Sequence, residues 1–177
     1  MPNYITNRIT GPREMLSLLF TADGDLDFNI LIPAPEGMSS ASCAGHHGPD
    51  FICWYEWQIE NWGTKWNGSS ATAENLDGSY DEPVTVQFVT AWAHPVPIIR
   101  ALVEALPGNS ILTVQYADED LGGNLGEYTV RMEDREDGML TTNQIRSFTD
   151  YSPEACDFAA RLIYDMSYED YRNEFLL

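Results

Sequence analysis

Val84-Thr85-Val86-Gln87-Phe88-Val89 decides the fold class. Apolar and polar residues alternate along it and β-branched types dominate, the pattern of a half-buried strand. Beyond it, Pro95 and Pro97 stand where a helix can begin, and Ile98, Ile99, Leu102, Val103 and Leu106 recur at helical spacing until Pro107-Gly108 stops them. Ile111-Leu112-Thr113-Val114-Gln115-Tyr116 is a second strand. Gly122-Gly123-Asn124-Leu125-Gly126 supplies turn residues, and Glu127-Tyr128-Thr129-Val130-Arg131-Met132 alternates again. An earlier stretch repeats the order loosely. Residues 4–9 read as a strand, Met15, Leu16, Leu18, Leu19 and Phe20 as a short helix, and Asp27-Phe28-Asn29-Ile30-Leu31-Ile32 as a strand ended by Pro33. The expected fold is α+β, a βαββαβ sandwich of one sheet and two helices with the last hairpin strand at an edge.

Two segments decorate that core. Residues 33–83 form a Trp-rich insertion, loop-like from 33 to 50 and helical from Phe51 to Trp62, where Gly63 stops it. Residues 138–177 form a C-terminal helical extension packed on or beside the 1–137 domain. There Ser152 can cap, Pro153 fits the first helical position, and Ala155, Phe158, Ala159, Leu162, Ile163 and Met166 make one apolar stripe. A further turn after Ser167 points Glu169, Asp170 and Glu174 outward.

The chain has 177 residues, 44% of them apolar, enough for a substantial core. Its 28 acids oppose 9 bases, a net charge of −19, and the one lysine is Lys65. The acid gathers in residues 36–82 at −7, 118–137 at −6 and 150–177 at −5, around a neutral 83–117, while 138–149 carries +1. Nucleic acid and anionic membranes are unfavourable partners for such a surface, and the bases are too scattered to make a basic patch. No apolar run approaches membrane-spanning length and no export signal is visible at the N-terminus. Three cysteines fit a reducing cytoplasm better than a disulfide framework.

Several strings occur in a telling order: Met1-Pro2-Asn3-Tyr4 with Thr6-Asn7-Arg8, Leu26-Asp27-Phe28-Asn29 leading to Ile32-Pro33-Ala34-Pro35-Glu36, Glu60-Asn61-Trp62-Gly63-Thr64-Lys65-Trp66-Asn67, and Thr90-Ala91-Trp92 followed by Pro95 and Pro97. Together they resemble the YubB-like ferredoxin-like domain family, small accessory proteins of conjugative plasmids and phages whose biochemical activity is generally unassigned. The resemblance covers residues 1–132 and implies a ferredoxin-like fold; the 138–177 tail lies outside it. The word describes topology. An iron–sulfur cluster needs four closely spaced thiolates, whereas Cys43, Cys53 and Cys156 are three and far apart, and no cofactor is expected.

The remaining reactive side chains fit other chemistry poorly. Cys43, His46, His47, Asp50 and Cys53 crowd together as zinc ligands do, but at no common spacing. Asp23-Gly24-Asp25-Leu26-Asp27 opens like a calcium loop yet has Phe28 and Ala34 where glycine and glutamate belong. His94 lacks a companion nucleophile motif, and the glycines at 122–126 lack the Lys-Ser or Lys-Thr pair of a phosphate cradle. The five tryptophans are read as core, since stacking platforms come with basic grooves. Lys65 is given a local ion pair or carbonyl contact.

The expectation is therefore a non-enzymatic cytoplasmic protein of a mobile element. Its partner would be a host protein with a basic nucleic-acid-binding surface, of the defence or restriction kind, occupied by carboxylates in the manner of a DNA mimic. The residues assigned to that contact are Asp118, Glu119, Asp120, Glu133, Asp134, Glu136, Asp137, Asp157, Asp165, Glu169 and Asp170. The alternatives are a small metal-dependent enzyme centred on Cys43, His46, His47, Cys53 and His94, and a plain self-associating module.

Overall fold

A computed structural model describes residues 3–38, 42–44, 48, 50–76, 82–105, 110–132 and 140–176. One six-stranded antiparallel sheet organises them. In chain order the elements are β1 (Tyr4–Gly11), α1 (Arg13–Leu16), α2 (Trp54–Trp62), β2 (Ser69–Glu74), β3 (Val84–Ala91), α3 (Val96–Ala105), β4 (Ile111–Asp118), β5 (Gly126–Met132), β6 (Leu140–Arg146), α4 (Pro153–Tyr164) and α5 (Tyr168–Phe175). In space the strands run β2-β3-β1-β4-β5-β6.

The period-two pattern of the central strands sorts their two faces. Ile9 on β1, Val84, Val86 and Phe88 on β3, Leu112 and Val114 on β4 and Val130 on β5 are buried with Met15, Leu16, Trp62, Ile98, Leu102 and Val103 from α1, α2 and α3. Three helices thus cover one face. Across the other face α4 packs on β4 and β1, and Ala117, Leu121, Phe158, Ala159, Ala160 and Leu162 form a second, smaller core. The α4 start is as the sequence implies: Ser152 Oγ accepts from Ala155 N, and Pro153 occupies the first turn.

Three expectations change. Residues 27–32 are not a strand; Phe28–Ile30 is a 3₁₀ turn. Asp27 Oδ1 accepts from Asn29 N at 2.9 Å, Asn29 Nδ2 at 2.7 Å and Asn67 Nδ2 at 2.7 Å, and such side-chain bonds to the local backbone compete with a ladder. The strand beside β3 is instead β2, inside the stretch read as an insertion. Ser-Ser-Ala-Thr-Ala-Glu carries no apolar alternation because it is an exposed edge strand with only Ala71 partly buried. Finally, the C-terminal extension is not wholly helical, for 140–146 adds a sixth strand to β5.

Gly63 shows how the parts lock. It ends α2 with φ 76°, and a Cβ there would come within 2.7 Å of Pro97 Cδ at the start of α3.

Candidate functional site

The end of the sheet where β1 starts and β3 and β4 finish sets exposed aromatic side chains, Tyr4 and Trp92, beside exposed Glu119 and Asp120. Registers set this up: Tyr4 lies opposite Ala91, and Ile5 opposite Asp118. Asp118 is itself internal, 5% exposed. Its carboxylate accepts from Asn3 Nδ2 at 3.0 Å, Asp120 N at 3.1 Å and Asn124 Nδ2 at 3.3 Å, so it ties the chain start to the β4–β5 loop and is not displayed. A buried carboxylate needs such donors.

Glu119 and Asp120 emerge next. Glu119 Oε1 accepts from Tyr4 N at 3.0 Å while Glu119 N donates to Tyr4 O at 3.0 Å. Asp120 Oδ2 accepts the Tyr151 hydroxyl at 2.8 Å, and that bond holds the exposed phenol above its ordinary pKa. Glu119 also faces Tyr164, whose pKa is raised by burial first and then by Tyr171 and the nearby carboxylate. From Tyr164 the aromatics continue along α5, with Tyr171 at 4.8 Å and Phe175 a further 5.1 Å on.

On the other flank stands Trp92, 42% exposed, with φ 69°. The left-handed region is costly for a bulky side chain and persists only where the surroundings impose it. Here Trp92 N donates to Asn3 O at 3.0 Å and Asn124 Nδ2 to Trp92 O at 2.9 Å. Lys65 Nζ lies 4.8 Å from the Trp92 ring centre, 5.5 Å from Trp66 and 5.9 Å from Tyr55. The lone lysine therefore rests among ring faces, and among the described residues it has no ion pair or carbonyl hydrogen bond. Tyr4 and Trp66 close the gap, their rings 6.3 Å apart. A continuous rim results, running from Tyr55 and Trp92 through Tyr4 and Glu119 to Tyr164 and Phe175.

Asp165, Glu169 and Asp170 are exposed on or beside α4 and α5. Asp165 ends α4 with φ 57°, and Asp170 bonds back to the Ser167 cap. Asp157 is half-buried; Arg161 at 2.7 Å, with Tyr168 N, holds its carboxyl below the usual range. Glu133, Asp134, Glu136 and Asp137 lie outside the described residues, as do His46 and His47.

The remaining candidates separate. Cys43 and Cys53 form a disulfide, Cα atoms 5.3 Å apart, so three reduced thiols is not the state found. This joins two donors of the proposed zinc set to each other, and among the described residues no three His, Cys, Asp or Glu side chains stand close enough to hold a metal. Asp23 and Asp25 sit in an exposed turn closed by Thr21. His94 stacks on Tyr116 at 4.0 Å, and burial pushes its pKa down to about 4. It lines a cavity of about 320 Å³ with Val96, Ile99, Tyr128, Val130 and Leu140. The tryptophans divide: Trp62 is core at 2% exposure, whereas Trp92 is surface.

One arrangement had no signal in the sequence. Gln87, Arg8, Gln115, Glu127 and Arg146 stand in a row across five strands on the α4 face. Arg8 Nε donates to Gln87 at 3.0 Å, Gln115 Nε2 to Glu127 at 2.7 Å, and Arg146 pairs with Glu127 at 2.9 Å. Arg8, Arg146 and Arg161 share one cavity, yet the latter two are matched by Glu127 and Asp157, so no net basic patch forms. Among the described residues no helix is long and apolar enough to cross a membrane.

An antiparallel sheet layered with helices, bearing an acidic and aromatic rim, defines an α+β domain of the ferredoxin-like class. The family model for the ferredoxin-like domain in Api92-like protein matches residues 61–164, more than half of the chain, and the chain belongs to that family. No curated protein and no solved structure matches it. The matched stretch runs from the end of α2 through β6 and α4.

Proposed function

We propose that the protein acts by binding, without chemistry of its own, and that its partner is a protein with a cationic, nucleic-acid-handling surface. The rim carries this reading. Exposed Tyr4, Trp92, Tyr151, Tyr164 and Phe175 alternate with exposed Glu119, Asp120 and Asp165 on one continuous surface. Aromatic residues are favoured at binding surfaces, and arginine or lysine is attracted both to carboxylates and to ring faces. Lys65 over Trp92 is an intramolecular instance of the second contact. With −19 on the chain, long-range attraction to a basic surface adds to both.

The finer reading follows from the same elements. Taking β1, α1, β2, β3, α3 and β4 as the βαββαβ unit makes β5, β6, α4 and α5 additions to it. The strings quoted above favour a YubB-like mobile-element protein, and inhibition of a host restriction or RNA-guided defence complex is the activity that suits such an origin.

The test is a titration against purified restriction and RNA-guided nucleases, reading DNA binding at about 0.05 M and 0.3 M salt. Inhibition should fall steeply with salt. Trp92→Ala should weaken it roughly tenfold, and the triple change Glu119→Lys, Asp120→Lys, Asp165→Lys should abolish it while far-ultraviolet dichroism stays native. Unchanged DNA binding at low salt, with every nuclease and a large excess of the protein, would sink the proposal.

A further inference from the structure

Lys65 is the one lysine among nine bases, and its Nζ stands 4.8 Å from the Trp92 ring centre, 5.5 Å from that of Trp66 and 5.9 Å from that of Tyr55. Among the described residues this ammonium has no hydrogen bond and no ion pair, so ring faces alone hold it. The walls around it are fixed independently. Tyr55 packs edge-to-face against Trp92 and against Trp54, each at 5.9 Å. Trp66 leans on Tyr4, and Asn3 and Asn124 hold the Trp92 backbone. Thr64 Oγ1 donates to Ala91 O at 2.9 Å and accepts from Ala91 N at 3.0 Å, which pins the backbone next to Lys65 against the residue before Trp92. Trp92 is 42% exposed and Tyr55, Lys65 and Trp66 are half-buried, so this aromatic cage is reachable from solvent.

The spacing points to the ligand. A bare ammonium touching a ring face brings its nitrogen to about 3.5–4.0 Å, the ordinary contact of heavy atoms. A methyl group adds about 1.5 Å of bond, so the nitrogen of a methylated ammonium stands about 5–5.5 Å from each ring that it touches. The distances of 4.8, 5.5 and 5.9 Å bracket that value, and the cage is wider than a bare ammonium fills. We propose that Tyr55, Trp66 and Trp92 form a binding site for a methylated ammonium, which enters as the Lys65 side chain turns out to water. Such a cation is weakly hydrated, and each of its methyl groups meets a ring face that attracts positive charge. A planar guanidinium would stack on one face and leave the others unfilled. Departure costs Lys65 no directed bond, and its flexible stem carries the ammonium into solvent. The net charge of −19 draws any cation toward the chain.

The site shares Tyr55 and Trp92 with the rim but takes a small cation and needs no protein partner, so titrations against nucleases and against the cation can fail separately. The experiment titrates the full chain with tetramethylammonium chloride, using ammonium chloride at equal ionic strength as the matched control. The indole N–H resonances of the five tryptophans are the readout. Those of Trp66 and Trp92 should move saturably with a Kd of about 10 mM, and ammonium should move them far less. Lys65→Ala removes the resident competitor and should tighten binding about tenfold, whereas Tyr55→Leu with Trp66→Leu should weaken it at least about tenfold. If that double variant does not fold, nuclear Overhauser contacts from the ligand methyl protons to the three rings in the Lys65→Ala chain locate the ligand instead. Choline and a trimethyllysine peptide then separate a free ligand from a protein-borne one, the tighter binder naming the source. No saturable shift in either chain, saturation confined to Lys65→Ala, a Kd that Lys65→Ala leaves unchanged, ammonium matching tetramethylammonium, binding that survives the folded double variant, or methyl contacts to other rings would each overturn the proposal.

Discussion

Replacing Asn67 by alanine asks whether the two most distinctive strings, around Asp27 and around Trp62, exist for architecture. Asn67 Oδ1 accepts from Phe28 N and from Gly68 N, both at 2.9 Å, and its Nδ2 donates to Asp27 at 2.7 Å. Phe28 is fully buried beneath Trp62 and Phe88, so its orphaned N–H costs about 1–3 kcal/mol. The bond to a carboxylate is nominally larger, but Asp27 is only half-buried and keeps both bonds from Asn29, which reduces that loss to about 1 kcal/mol. The Gly68 N–H turns to water. The sum is about 2–4 kcal/mol, a fall in Tm of roughly 5–15 °C for a chain of this size. Urea unfolding followed by tryptophan fluorescence measures it. The pH dependence adds a check. Burial would raise the Asp27 pKa, but bonds from Asn29 and Asn67 outweigh it and hold the carboxyl below 3.8. Its stabilisation is therefore present above that value and lost as pH falls through the folded pKa, and the deficit of Asn67→Ala should shrink on acidification. A deficit under about 1 kcal/mol at neutral pH, or one that grows in acid, refutes the reasoning.

For His94, a folded pKa of about 4 against 6.5 means the unfolded chain takes up the proton first. Stability should hold above pH 6.5, fall by about 3 kcal/mol between there and pH 4, and then level; His94→Phe, which keeps a ring on Tyr116, should flatten that slope, and a His94 resonance titrating above pH 6 would contradict it. Gly63→Ala places a Cβ at φ 76° against Pro97 and should cost about 1–3 kcal/mol in the same urea assay. Thiol titration without reductant should find Cys156 alone in the unfolded chain and almost none in the native protein, where Cys156 is 6% exposed. Three reactive thiols on unfolding would exclude the Cys43–Cys53 bond.

What the sequence makes legible follows from where burial is one-sided. Val84 to Val89, the 98–103 helix and the Ala155 to Leu162 stripe each press one face against the core, so period alone locates β3, α3 and α4. β2 and β6 escape because edge strands bury little and need no apolar alternation. Asp27 to Ile32 misleads for the opposite reason: Phe28 is core, but Asp27 and Asn29 turn their side chains onto the backbone and replace a ladder with a local turn. In the site, Glu119 and Asp120 are evident as acids, yet nothing local tells that Asp118 beside them is enclosed. Nor does residue type separate buried Trp62 from exposed Trp92; that difference arises when Asn3 and Asn124, remote in sequence, grip the Trp92 backbone.

The distribution of charge bears on the proposed surface. Among the described residues the buried carboxylates, Asp118 and Glu127, each have tertiary donors that offset desolvation, and the other described carboxylates are wet or capped. Excess negative charge on wet elements contributes little to stability and raises self-repulsion, a cost with no structural return unless a cationic surface meets it. The rim, at the ends of β1, β3 and β4, sets exposed carboxylates beside ring faces and is where such a surface would dock. Binding of a cationic partner there should raise the Tm of the chain at low salt and do so less at high salt; a Tm that the bound partner leaves unmoved at low salt would refute the argument.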